Sequence, residues 1–189
     1  MPGPAGQHGS STTEVVMFDT INGLPLHPLV VHAAVVLIPL SGVLGVLYAV
    51  PRTRAWARWA LPVVSVLALG SAFVATQSGQ ALQGALGFDG ANSESTAAVL
   101  VERHSELGSQ LLLIMVAYTV VAVAAAVFAG RSSAPAQARG AARRSQPVAV
   151  GLSVLLVVGA VVATTWTYRV GDLGSRAVWN PADSIDYSD

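Results

Sequence analysis

The sequence of 189 residues contains no cysteine, no lysine and few charged residues of any kind. Without cysteine, the chain cannot form disulfides, thiolate metal sites, cysteine-ligated iron–sulfur clusters or a covalent c-type haem attachment. Any bound metal must therefore use histidine, methionine, carboxylate, tyrosine or backbone oxygen ligands. The formal net charge of +0 argues against a nucleic-acid partner, because such a partner requires a basic surface patch.

The composition is that of a membrane protein. Hydrophobic residues make up 53% of the chain and charged residues only 11%, whereas a soluble domain carries roughly a quarter charged residues. Four apolar runs approach or exceed the roughly 20 residues that a bilayer core demands. They predict transmembrane helices at about residues 28–50, 59–77, 107–129 and 148–169.

The remaining segments complete the predicted domain organisation. Residues 1–23 mix glycine, proline, serine and threonine and are predicted to form a flexible external tail. Residues 24–179 are the predicted four-helix transmembrane domain, and residues 180–189 are a second external tail. The polar segment 80–106 is predicted to be a loop. No internal repeat is evident, although the first and third helices both begin near a histidine.

The distribution of arginine predicts the orientation of the helices. Basic residues in short loops are retained in the cytoplasm. Arg52, Arg54 and Arg58 flank the first loop, and the third loop contains four more: Arg131, Arg139, Arg143 and Arg144. Together with residue usage typical of a high-GC bacterial genome, this predicts an all-α integral membrane four-helix bundle of the bacterial inner membrane, with both termini outside the cytoplasm.

In this orientation three histidines lie near the outer membrane face. His27 and His32 are at the outer end of helix one, and His104 precedes helix three. His32 lies about one turn inside the apolar run, so we expect it to face the bundle interior, where a polar group needs a partner or a cavity. Glu102 and Glu106 flank His104. The sequence therefore predicts a histidine-based site at this face.

Three interpretations of that site are open. In the first, His32 and His104 are axial ligands of a b-type haem in an electron-transfer protein. In the second, His27, His32 and His104 bind a divalent metal together with Glu102 or Glu106. In the third, which carries most weight, hydrogen-bonded histidines pin the bundle and contact a partner protein. The chain is then a structural or docking subunit serving a redox complex, and no nucleophile motif or phosphate loop indicates an enzyme.

Four motifs resemble a known family. They are the segment from Asn22 to His32, the Ser78-Gly79 pair interpreted as a turn after helix two, Glu102 to Gly108, and Gly171 to Ser175. These resemble the bacterial membrane proteins catalogued as domain of unknown function 2231, over roughly residues 24–179. The resemblance implies a four-helix membrane domain without an established function. The fusion of some members to Rieske-type or cytochrome-like modules implies a redox partner.

The family pattern places its histidine pair of helix one on His27 and His32, and its helix-three histidine on His104. The chain departs from that pattern in two places. The second histidine of the family is often followed by Phe-Pro, and here Ala33-Ala34 follows His32. A closing Gly-Gly with Val-Tyr appears here as Gly-Ser with Val-Trp.

Overall fold

The computed structural model describes residues 20–21, 24–85, 95–131 and 139–182. A two-residue strand β1 (Thr20–Ile21) pairs antiparallel with β2 (Leu24–Pro25). Four helices follow: α1 (Leu26–Ala49), α2 (Arg54–Ala85), α3 (Thr96–Arg131) and α4 (Arg139–Trp179). The predicted four-helix architecture is confirmed. Of the two predicted tails, residues 1–19, 22–23 and 183–189 lie outside the described residues.

All four helices are long and apolar enough to cross a membrane. The candidate spans are Leu26–Ala49, Arg54–Gly84, Thr96–Phe128 and Pro147–Trp179. Large apolar side chains cover the outward surface of the bundle; Leu113, for example, is 71% exposed. A soluble monomer rarely exposes contiguous apolar surface on this scale, so the bilayer is the environment that fits it.

The helices extend beyond the apolar runs from which their bounds were predicted. α3 begins at Thr96 because the Ser95 hydroxyl accepts a hydrogen bond from the Ala98 amide (3.2 Å), which caps the helix. α2 continues to Ala85, so both ends of the segment 80–106, predicted as a loop, are helical. A helix satisfies its own backbone whatever its side chains are. The apolar run therefore marks the part that crosses the bilayer and not the end of the helix.

The tight turn between α1 and α2 follows from Pro51. Proline has no N–H to donate to the Leu47 carbonyl, so the helix cannot continue regularly. The Thr53 hydroxyl donates to the Leu47 carbonyl instead (2.5 Å), and Arg54 Nε donates to the Tyr48 carbonyl (3.0 Å). These side chains donate hydrogen bonds to the last carbonyls of α1. The short turn makes α1 and α2 antiparallel neighbours.

The helices pack in a ring in which α1 and α3 each contact both α2 and α4. Buried positions on α1 recur on α3 at a fixed spacing of 77 residues. The α1 positions are Ala34, Ile38, Ser41, Gly42, Gly45 and Tyr48, and their buried α3 counterparts are Leu111, Met115, Tyr118, Thr119, Ala122 and Ala125.

A similar correspondence relates α2 to α4, at a spacing of 95 residues. Four buried positions of α2, Leu61, Ser65, Ala68 and Ala72, have the buried counterparts Leu156, Ala160, Ala163 and Thr167 on α4. The bundle thus consists of two equivalent helix pairs, α1–α2 and α3–α4, related by an approximate two-fold axis that runs along the bundle. We call these pairs the two halves.

Two tyrosines join the halves across this axis. Tyr118 Oη donates to the Ser41 carbonyl (2.8 Å), and Tyr48 Oη donates to the Ala125 carbonyl (2.7 Å). Each tyrosine thereby bonds to the backbone of its own counterpart position in the other half. The Tyr118 ring needs Gly159 beside it, because a Cβ there would lie 2.8 Å from Tyr118 Cδ2.

Candidate functional site

The two ends of the bundle carry different polar groups. At one end, His27 in the first turn of α1 and His104 about two turns into α3 lie beside the C-terminal parts of α2 and α4. We call this the histidine end. The opposite end, which contains the α1–α2 turn with Arg54 and Arg58, is the arginine end.

His27 extends from the first turn of α1 to α2. Its Nδ1 lies 2.9 Å from the Ala75 carbonyl and 3.3 Å from the Ser78 hydroxyl. A carbonyl only accepts hydrogen bonds, so Nδ1 carries the proton and donates it to Ala75. The ring also lies against Gly79, where a Cβ would come within 2.9 Å of His27 Cε1. Only glycine leaves room for the ring at this position.

His104 makes the same contacts in the other half of the bundle. Its Nδ1 donates to the Val170 carbonyl of α4 (2.9 Å). A Cβ at Gly174 would lie 2.9 Å from His104 Cε1. In both halves the glycine follows the accepting carbonyl by one helical turn, which puts the two on the same helix face. The two-fold relationship therefore extends to the histidine end.

The two imidazoles lie close to each other. Their ring centroids are 6.2 Å apart and their planes are nearly perpendicular, at 86°. With Nδ1 protonated, the neutral ring carries its lone pair on Nε2. Within the described residues neither Nε2 makes a hydrogen bond. The Nε2 atoms of these two half-buried histidines are thus available to accept a hydrogen bond or to coordinate a metal ion.

His32 lies apart from this pair. Its side chain is exposed, and its Nδ1 bonds to the Pro28 carbonyl of its own helix. The expectation that His32 faces the bundle interior is wrong. Residues five apart on an α-helix are separated by roughly 140° around its axis, so His27 and His32 cannot both point inward. The structure brings His27, rather than the predicted haem ligand His32, next to His104.

The five predicted metal ligands are not assembled either. In the part of the chain that the structure describes, no three histidine, aspartate or glutamate side chains are grouped closely enough to hold a metal ion. Glu102 and Glu106 are exposed. Each is two residues from His104, and a separation of two turns side chains to nearly opposite sides of a helix. The predicted cluster of His27, His32, His104, Glu102 and Glu106 therefore does not form.

Other polar groups at the C-terminal part of α4 pair locally. Asp172 forms a salt bridge with Arg176 (3.1 Å), and the Arg169 guanidinium lies over the Trp166 ring, 5.4 Å from its centroid. Trp166 Nε1 donates to Gln110 Oε1 of α3 (3.2 Å), which adds a second polar link between these helices. These contacts account for the side chains without involving the histidine pair.

At the arginine end, Arg54 and Arg58 of α2 donate hydrogen bonds to neighbouring helices. Arg54 Nη2 donates to the Ala49 carbonyl (3.3 Å) and to the Ser153 hydroxyl of α4 (3.4 Å). Arg58 Nε donates to the Ala126 carbonyl (3.1 Å), near the end of the apolar part of α3. Cations are favourable at helix C-termini because of the helix dipole. Both side chains thus link neighbouring helices.

Sequence reasoning did not identify the groups that hold the histidines. The Ser78-Gly79 pair is not a turn after helix two, because Gly79 and Gly174 both lie inside helices. A glycine inside a helix is compatible with the close approach of another group, but Gly70 and Gly171 are also inside helices and a Cβ at either would meet nothing within 4 Å, so this signal does not single out Gly79 and Gly174. The accepting carbonyls of Ala75 and Val170 leave no signature in the side-chain sequence.

Comparison with known proteins agrees with this architecture. No curated protein and no solved structure matches the chain significantly. The family model described as a predicted membrane protein, DUF2231, matches residues 23–182. This range contains both halves of the bundle and both histidine contacts. The chain therefore belongs to the DUF2231 family of predicted membrane proteins.

Proposed function

We propose that this protein is a non-catalytic, multi-pass subunit of the bacterial inner membrane that docks a partner of a membrane redox complex at its histidine end. The observation that carries the proposal is the His27–His104 pair. All four helices contribute to it, and no group among the described residues bonds to either Nε2 atom.

The histidines have a structural part in this role. The bond from His27 to Ala75 joins α1 to α2, and the bond from His104 to Val170 joins α3 to α4. Hydrogen bonds between helices in a membrane contribute on average about 0.6 kcal/mol and up to about 1.7 kcal/mol. These two bonds fix the positions of the rings. The Nε2 atoms then form a rigid acceptor pair for a partner, and a redox partner is what the family resemblance given by the sequence implies.

The distribution of arginine supports the placement of the histidine end outside the cytoplasm. Arg52, Arg54 and Arg58 lie at the arginine end, where the positive-inside rule favours the cytoplasm. A periplasm-active reporter fused after Asp189 should be active, whereas the same reporter inserted in the α1–α2 turn should be inactive. The reverse pattern would overturn the orientation.

Docking can be tested by photo-crosslinking in native membranes. A crosslinking side chain at His32 lies at the histidine end without disturbing the pair, and one at exposed Trp56 tests the arginine end. We expect His32 to crosslink to a partner that carries haem, flavin or an iron–sulfur cluster, and Trp56 not to do so. A chain that migrates alone on native gels and gives no such crosslink would refute the docking role.

A further inference from the structure

We infer that His27 and His104 together ligate one transition-metal ion through their Nε2 atoms, on the two-fold axis between the halves. This rests on the proposed role of the pair as the functional site, and it specifies the chemistry that the pair recognises.

The separation of the rings suits one shared ion. Imidazole nitrogen binds a metal ion at about 2.0–2.1 Å and lies about 1.1 Å from its own ring centre, so two rings in line on one ion have centres about 6.3 Å apart. The observed centroid separation of His27 and His104 is 6.2 Å. The perpendicular ring planes keep the carbon atoms of the two rings from colliding across the ion.

The hydrogen bonds to the two rings are those of metal ligands. A histidine that ligates a metal almost always donates its other N–H to a carboxylate, a carbonyl or a water. Here the Ala75 and Val170 carbonyls accept from the two Nδ1 atoms. This fixes the tautomer that leaves Nε2 as the ligand atom. The close glycine contacts on α2 and α4 limit rotation of the rings.

The number of protein ligands restricts the class of metal. No third histidine or carboxylate joins the pair within the described residues, and the chain has no cysteine. The described residues therefore do not assemble a closed four-ligand zinc site around the pair. Two imidazoles are sufficient for cuprous ion, which accepts two ligands in line, or for iron whose remaining positions are filled by a porphyrin. Bis-imidazole ligation is common to both.

A porphyrin also needs space next to the rings. Gly108 lies one turn from His104 on the same face of α3, and a Cβ there would meet nothing within 4 Å. No described residue therefore covers the surface of α3 at this position beside His104. Haem iron is therefore tested as the bound metal alongside a bare copper ion.

The test separates metal ligation from helix pinning. His27→Asn and His104→Asn each place an amide N–H near the position of Nδ1, so they retain a donor for the carbonyl but remove Nε2. His32→Ala is the matched control, since His32 is exposed and outside the pair. Detergent-purified protein is titrated anaerobically with cuprous ion against a coloured chelator, and separately with haem while the Soret band is recorded.

We expect the wild type to bind one equivalent in at least one of the two titrations, with cuprous ion or with haem. Each asparagine variant should lose more than about 100-fold in affinity, because even the loss of a supporting hydrogen bond costs 10- to 100-fold. His32→Ala should bind like the wild type. Binding of copper alone identifies a bare ion, and a Soret band of six-coordinate low-spin haem identifies a porphyrin.

Three results would overturn the inference: a wild type that binds neither, asparagine variants that bind as tightly as the wild type, and a His32→Ala variant that is equally impaired. X-ray absorption of the loaded wild type gives a test without variants, because it must show two imidazole ligands from the protein. A protein that binds no metal but crosslinks from His32 retains the docking role, so the two proposals fail separately.

Discussion

Replacing Gly174 with alanine is expected to displace the His104 ring, and Gly171 on the same helix provides the control. A Cβ at Gly174 would lie 2.9 Å from His104 Cε1, whereas a Cβ at Gly171 would meet nothing within 4 Å. The two glycines are less than one turn apart. Differences between the alanine variants therefore report the contact with the ring and not a general property of this end of α4.

The expected magnitude follows from three contributions. Both variants gain the helix propensity of alanine over glycine, about 0.5–1 kcal/mol. Only Gly174→Ala also overpacks the contact, which costs about 1–3 kcal/mol. If the ring moves, the bond to the Val170 carbonyl is lost as well, which costs about 0.5–1.5 kcal/mol. Gly174→Ala should therefore be less stable than Gly171→Ala by about 1.5–4.5 kcal/mol.

Reversible unfolding by sodium dodecyl sulfate in mixed micelles measures this difference, with tryptophan fluorescence as the signal. Gly79→Ala and Gly70→Ala repeat the comparison in the other half, because a Cβ at Gly79 would lie 2.9 Å from His27 Cε1 and a Cβ at Gly70 would meet nothing within 4 Å. Both pairs should differ with the same sign. Equal stabilities of Gly174→Ala and Gly171→Ala, together with an unshifted NMR signal of the His104 ring, would refute the close contact.

Three further substitutions test the packing. Tyr118→Phe should lower the unfolding free energy by about 0.5–1.5 kcal/mol, because it removes the bond across the axis, whereas exposed Tyr168→Phe should not change it. Gly45→Ala places a Cβ against the Tyr118 hydroxyl, so its cost should be smaller in the Tyr118→Phe background, and a double-mutant cycle without coupling would contradict this. Asp172→Asn should change stability by less than about 1 kcal/mol in the same unfolding assay, because its bond to Arg176 is exposed.

The four helices could be predicted because a bilayer imposes a length of apolar sequence that few other structures need. The orientation of individual side chains could not be read from that length. Helical periodicity shows that His27 and His32 diverge around α1, but not which of them points inward. That choice depends on Gly79 and on the Ala75 carbonyl of α2, which are distant in the sequence.

The repeat remained hidden for a related reason. At the two levels where a tyrosine bonds across the two-fold axis, a large residue in one half faces a small counterpart in the other. Tyr118 corresponds to Ser41, and Tyr48 corresponds to Ala125. At these positions the two halves are structurally equivalent, but their residues differ, and this lowers the sequence similarity between the halves. The histidines and their glycines, which lie off the axis, are the same residue in both halves.

This pairing of large with small residues has a consequence for the architecture of the chain. An assembly of two identical two-helix proteins would have to place two tyrosines, or none, at each level of its axis. A single chain can place one, and it does so twice, with the tyrosine coming from α3 at one level and from α1 at the next. Joining the halves covalently thus allows a core that no symmetric homodimer can pack, while the histidine end keeps the matched residues of a dimer interface.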